Sequence, residues 1–198
     1  MSRIVQFISG IFSDRGSTEE PTRTTGQEPV RTVFSPALNA GQRLLGARKG
    51  EDPEEVLLAR LVPALAAICT SGRDDPAVRT RLKLYAGRRC FYFDSATAGD
   101  GRPWTEPVSE TYDRFISTSA PSADAVIALA GDLISQTTDP DVVLLFIFDS
   151  VLEIIDPKSQ TEILKARDLY IRLGGSVRNW PKALKKARKN RKAAAKSL

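Results

Sequence analysis

The chain contains no histidine. That removes the commonest general base and the commonest protein ligand for metals. It has two cysteines, Cys69 and Cys90. They are too few for a disulfide framework and do not stand at zinc-binding spacing. Their apolar neighbours predict buried thiols in a reducing compartment. No stretch approaches the roughly 20 apolar residues that cross a bilayer. Gly72, Gly87, Gly99 and Gly101 do not form a spacing that cradles phosphate. These absences point to a protein that is not an enzyme and needs neither cofactor nor metal.

Positive charge is present, but it is segregated. The formal net charge of +5 comes from 29 Lys and Arg against 24 Asp and Glu. Nine of those cations and no acid lie from Arg178 to the C-terminal residue, so the preceding residues carry 20 cations, 24 acids and a net −4. Such a division predicts a polyanion-binding appendage on an ordinary acidic body.

The longest apolar run is Val142 to Phe148, inside the stretch Asp139 to Gly175. Leu144, Leu145, Phe148, Val151, Leu152 and Ile155 recur at three- and four-residue steps, which predicts a helix. Its first half is apolar all round and is expected to be buried on every side. A second helix follows, with Ile163, Leu164, Ala166, Arg167, Tyr170, Ile171 and Leu173 on its inner stripe. Gly174 and Gly175 end it. This hairpin is the expected centre of the fold. Asp-Pro pairs at 52, 75, 139 and 156 predict four helix starts, each with an acidic N-cap and proline at the first helical position.

Elsewhere, Val56, Leu57, Leu61, Leu65 and Ile68 mark a helix that Pro63 must kink or split. Ser71-Gly72 ends it. Val78, Leu82 and Tyr85 face inward on the next helix. Arg89 to Ser95 is the best strand candidate. Residues 97–107 read as a loop anchored by Trp104, followed by a short helix around Tyr112 and Phe115. Ser122 caps a further helix, with Ala125, Val126, Leu129, Leu133 and Ile134 inward.

Phe91-Tyr92-Phe93-Asp94-Ser95 and Phe146-Ile147-Phe148-Asp149-Ser150 are alike. An apolar strand ending in Asp resembles the nucleophile strand of haloacid-dehalogenase-type phosphatases. That chemistry needs a second acid two residues later, and both copies lack it.

The two ends carry the functional expectation. At the C-terminus, Lys182, Lys186, Lys189 and Lys196 lie near one helical face. Lys185, Arg188 and Lys192 widen it, and Arg178 and Arg191 complete the set. The alanines between them favour helix but offer little to bury. Like-charge repulsion at three- and four-residue steps opposes an isolated helix until a polyanion neutralises it. Nucleic-acid phosphate is the expected partner, bound without sequence preference because aromatic residues are nearly absent. Lys185 to Lys192 also has the basic density of a nuclear-import signal. At the N-terminus, Ile4, Phe7, Ile8, Ile11 and Phe12 make an amphipathic arm. It either packs back on the body or pairs between copies, or it lies in a membrane interface or on a protein partner.

The expected architecture is all-α, an irregular bundle of about six helices. Residues 1–12 form the arm, 13–50 a disordered linker, 51–177 the helical domain and 178–198 the basic helix or tail. The alternative is α/β, with short strands near 89–95 and 142–148. The expected function is that of a structural or adaptor protein, self-associating and cytoplasmic, with membrane-associated or nuclear placement as alternatives. In layout alone it resembles viral matrix and accessory proteins. The alternative function is a small helical regulator that binds nucleic acid, with the arm packed on the body.

Overall fold

The computed structural model describes residues 44–47, 56–90, 101–117, 120–135, 140–182 and 184–185, the side chains of Arg89 and Cys90 excepted. Among the described residues there are seven helical segments and no strand. A π-helical stretch, Val56–Leu61, runs directly into α1, Val62–Cys69. Then come α2 (Pro76–Cys90), α3 (Thr105–Ile116), α4 (Ala123–Ser135), α5 (Pro140–Ile154) and α6 (Gln160–Arg172). The all-α expectation holds. The hydrophobic run Val142 to Phe148 lies wholly within helix α5. Arg89 and Cys90 belong to helix α2 rather than to a strand. The rest of that strand candidate, 91–95, lies outside the described residues, as does the Asp52-Pro53 start.

The centre of the molecule is not the hairpin but the short stretch Val56–Cys69. It packs against α3, α4, α5 and α6. All six residues of the π-helical part are buried, and so is every residue of α1 except Ile68. Its alanines, Ala59, Ala64, Ala66 and Ala67, let neighbouring backbones come close, since the separation of packed helices follows the size of the contact residues. Pro63 splits the segment as expected. A proline ring clashes with the carbonyl one turn earlier and offers no N–H, and a wider π turn ahead of it relieves both problems. The Tyr85 hydroxyl donates to the Leu58 carbonyl at 2.8 Å. Arg60, almost wholly buried, donates to the Pro107 carbonyl at 3.3 Å, the Thr111 hydroxyl at 3.3 Å and Glu110 at 3.4 Å. Burial pushes the Glu110 carboxyl up. Arg102 and Arg60 more than offset this and hold it below the ordinary glutamate range.

α5 reverses the expected burial. Its second half is enclosed from Ile147 to Ile154, including Asp149, Ser150 and Glu153. In its first half Val142, Leu145 and Phe146 are only half-buried and Asp141 is exposed. Arg88 of α2 reaches Glu153 at 3.2 Å, and Arg81 donates to the Ile154 carbonyl at 2.5 Å. α6 also turns differently from its predicted stripe. Ala166, Leu169 and Tyr170 face the core, whereas Leu164 is 51% exposed and Ile171 39%. On α4, Ala125 is exposed, while Val126, Leu129, Leu133 and Ile134 are buried as expected.

Helix ends follow local chemistry. Asp75 caps α2, its Oδ1 accepting from Ala77 N at 2.8 Å. Asp139 lies outside the described residues, though Pro140 opens α5. At the Asp156-Pro157 start, Asp156 Oδ1 accepts from Lys158 N at 2.9 Å and makes a turn instead. The cap of α6 is Ser159, whose hydroxyl accepts from Glu162 N at 3.3 Å. α1 closes with Ser71 and Gly72 both in the left-handed region, at φ of 58° and 64°. The Gly72 N–H donates to the Ala67 carbonyl at 3.0 Å. Cys69 is buried as predicted, and burial pushes its thiol up to about 12. Trp104 anchors to the core, though α3 starts at Thr105, earlier than the loop reading allowed.

Candidate nucleic-acid interface

The basic segment starts on a rigid mount. After α6, Gly174 takes φ of 94° and the Gly175 N–H donates to the Tyr170 carbonyl at 2.8 Å. Gly175 lies so close to the Tyr170 ring that a β-carbon there would stand 2.4 Å from it. The chain therefore folds back across α6 at a point where only glycine fits. Asn179 N donates to the Ser176 carbonyl at 2.9 Å, and a new helical turn opens at Trp180.

Trp180 is buried, 6% exposed. Its ring meets Tyr170 at 5.4 Å and Phe148 at 6.4 Å, and those two rings meet edge to face at 5.3 Å. Burial raises the Tyr170 phenol above its ordinary range, with Asp141 adding to the effect. Leu184, one turn beyond Trp180, is partly buried against the core. The expectation that this segment offers little to bury is corrected at these two residues. They share a helical face at a four-residue step and hold it to the body.

The mounted face leaves the cations outward. Arg178, Lys182 and Lys185 are all exposed. None of the three has an acidic partner among the described residues, and Lys83, Lys158 and Arg167 of the body have none either, whereas six body arginines are paired with acids. Arg60 and Arg102 meet Glu110, Arg73 meets Glu162, Arg79 meets Asp74 and Asp113, Arg88 meets Glu153 and Arg172 meets Asp124. The hydrogen bond from Arg79 holds Asp74 below its ordinary range. Lys186, Arg188, Lys189, Arg191, Lys192 and Lys196 lie outside the described residues, as do Ile4, Phe7, Ile8, Ile11 and Phe12 of the arm.

Sequence reasoning found the cations and missed the mount. Phe148, Tyr170, Gly175 and Trp180 are far apart in the chain, and only folding assembles them. Gly-Gly followed by an isolated tryptophan before a basic run was the available signal.

One contact looks like chemistry and lacks its other half. Lys165 Nζ donates to the Ser71 hydroxyl. A lysine-assisted serine also needs free N–H donors for an oxyanion. The N–H groups of Ser71, Gly72 and Arg73 already donate to the carbonyls of Ile68, Ala67 and Thr70. Among the described residues no group of His, Cys, Asp and Glu could hold a metal ion, and no helix is long and apolar enough to cross a membrane. Comparison with protein-family models, curated proteins and solved structures finds no match.

Proposed function

We propose that this chain is a non-enzymatic adaptor. Residues 178–198 bind nucleic acid through its phosphates, without sequence preference. The N-terminal arm supplies a second contact, to a membrane surface or a protein partner. The observation that supports the first contact is the concentration of unpaired cations. Six body arginines are paired with acids, and body cations without an acidic partner, such as Lys83, Lys158 and Arg167, lie on separate elements, while Arg178, Lys182 and Lys185 stand exposed and without acidic partners among the described residues on one segment anchored by Trp180. Unpaired cations release condensed counterions when they meet phosphate, and that release drives binding. A fixed base directs them outward and away from the acidic body.

The test keeps the mount and removes the charge. Lys182, Lys185, Lys186, Arg188, Lys189, Arg191, Lys192 and Lys196 are replaced by Gln, with Trp180, Pro181 and Leu184 retained. The intact protein is expected to bind duplex DNA or RNA of any sequence. If about five cations contact duplex DNA, the log–log slope of affinity against salt is near −4 to −5. The substituted protein is expected to lose binding and keep its melting temperature. Binding that survives substitution, or no binding by the intact chain at low salt, overturns the reading.

A further inference from the structure

Large apolar side chains are exposed at few places, and they gather on α6. Among the described residues they are Leu84, Leu164, Ile171 and Val177. Leu164 and Ile171 lie on α6, seven residues apart and so on one face, and Val177 lies in the turn that follows. Beside Leu164 a groove of about 470 Å³ opens between α1, α4 and α6, lined by Ile68, Ala123, Ile127 and Leu169. Its α6 rim carries Lys165, Asp168 and Arg172, alternating in sign. Arg172 is satisfied by Asp124 at 3.0 Å. Lys165 donates to the Ser71 hydroxyl, and neither it nor Asp168 has a partner of opposite charge among the described residues. A small ligand of one charge would match one of the two and repel the other. A partner that presents an acid and a base at the same spacing, in reverse order, matches both.

We propose that this face is the contact between two copies of this chain, paired about a two-fold axis with their α6 helices antiparallel. In such an isologous contact the same patch serves both copies, so residue i meets j wherever j meets i. Turning α6 end for end about the point midway between Ala166 and Arg167 sets Lys165 of each copy level with Asp168 of the other. Both side chains lie on the groove side of the helix, so the two ion pairs form along one edge of the seam. The same register sets Leu164 level with the other copy's Leu169, which lines the groove, so each exposed Leu164 enters the facing groove. Other registers match less well. An axis level with Asp168 brings two carboxylates face to face, and one level with Lys165 brings two ammonium groups together. Parallel helices would set each charge level with its own copy.

The contact is small. One helix pair with two inserted leucines lies at the low end of protein interfaces, so a dissociation constant between about 1 μM and 1 mM is expected. Pairing through α6 does not rest on nucleic-acid binding by the C-terminal segment.

Sedimentation equilibrium of the full chain, without nucleic acid and up to about 1 mM, tests it. The native chain is expected to show a reversible monomer–dimer equilibrium. Leu164→Asp changes a side chain that is 51% exposed and is expected to leave the body folded. It should raise the dissociation constant about tenfold or more, since it removes the inserted anchor. Asp168→Lys and Lys165→Glu each set like charges across the seam and should each raise it about three- to tenfold. The two together restore opposite charges and should return it to near the native value. Thermal melting of each variant reports the state of the body; if Leu164→Asp melts early, the charge variants carry the test alone. A native chain that stays monomeric at about 1 mM overturns the proposal. So does a dimer that a folded Leu164→Asp protein retains in full, because another surface then makes it. A double charge variant as weak as the single ones also overturns it, because the two signs then do not meet across a two-fold axis.

Discussion

Two apolar stretches compete to organise this chain, Val56–Cys69 and Pro140–Ile154. The second has the longer run of large side chains, yet the first lies at the centre. Val56–Cys69 contacts four other helices and exposes only part of Ile68. α5 leaves Val142, Leu145 and Phe146 half-covered. Each stretch packs against four other elements, α5 against α1, α2, α4 and α6. They differ in how completely those neighbours enclose them. Hydrophobic mass identifies residues that want burial. It does not say which stretch its neighbours enclose.

The largest expected effect separates the two stretches directly. Leu65→Asp places a carboxylate where exposure is 0%. Its cost is on the order of 5 kcal/mol, comparable with a total stability of roughly 5–15 kcal/mol. Unfolded or insoluble protein is expected. Leu145→Asp, on the half-buried side of α5, loses partial burial at about 1–2 kcal/mol and should remain folded with a lower melting temperature. If the two variants melt together, the hub does not lie at α1.

A second experiment asks what the buried cation in the hub contributes. Arg60→Ala removes an enclosed aliphatic stem as well as a charge and is expected to cost about 2–4 kcal/mol by chemical denaturation. Most of that cost is assigned to packing. The Glu110 side chain is 48% exposed, so solvent screens the pair. Arg60→Met keeps most of the volume and should recover all but about 1.5 kcal/mol. A methionine variant as weak as the alanine one shifts the weight to the bonds with Pro107, Glu110 and Thr111. The acid limb offers a further reading of the same site. The lowered Glu110 pKa contributes stability above the unfolded glutamate value, and this is lost as pH falls through the folded value. Arg60→Ala should narrow that window.

Local punctuation was legible in the sequence, and spatial convergence was not. Pro63 announced the split, Ser71-Gly72 and Gly174-Gly175 the helix ends, and Asp75-Pro76 a true cap, because each acts on atoms within one turn. The exposed side of α6 was misassigned. Leu164 and Ile171 fit a helical stripe, but the arc that becomes buried depends on where α1 and α5 lie. For the interface, composition revealed the cations of 178–198. The mount did not show, because Trp180 gains its meaning from Phe148 and Tyr170.

The smallest effect tests where the hairpin's second helix starts. Asp156 and Ser159 both precede α6, and both accept a backbone N–H bond. Only Ser159 accepts from within the helix, at Glu162 N. The Glu162 carboxylate in turn accepts from Asp156 N at 2.7 Å and from Arg73 at 3.2 Å. That set ties the corner of the hairpin to the loop after α1, joining the two stretches compared above. Ser159→Ala leaves a first-turn donor without its cap and should cost about 1 kcal/mol. Asp156→Ala loses a turn bond at a more open position and should cost less, on the order of 0.5 kcal/mol. Urea titration of the two variants resolves the order. A larger loss at Asp156 would return the helix start to the Asp-Pro pair, as its sequence alone predicts.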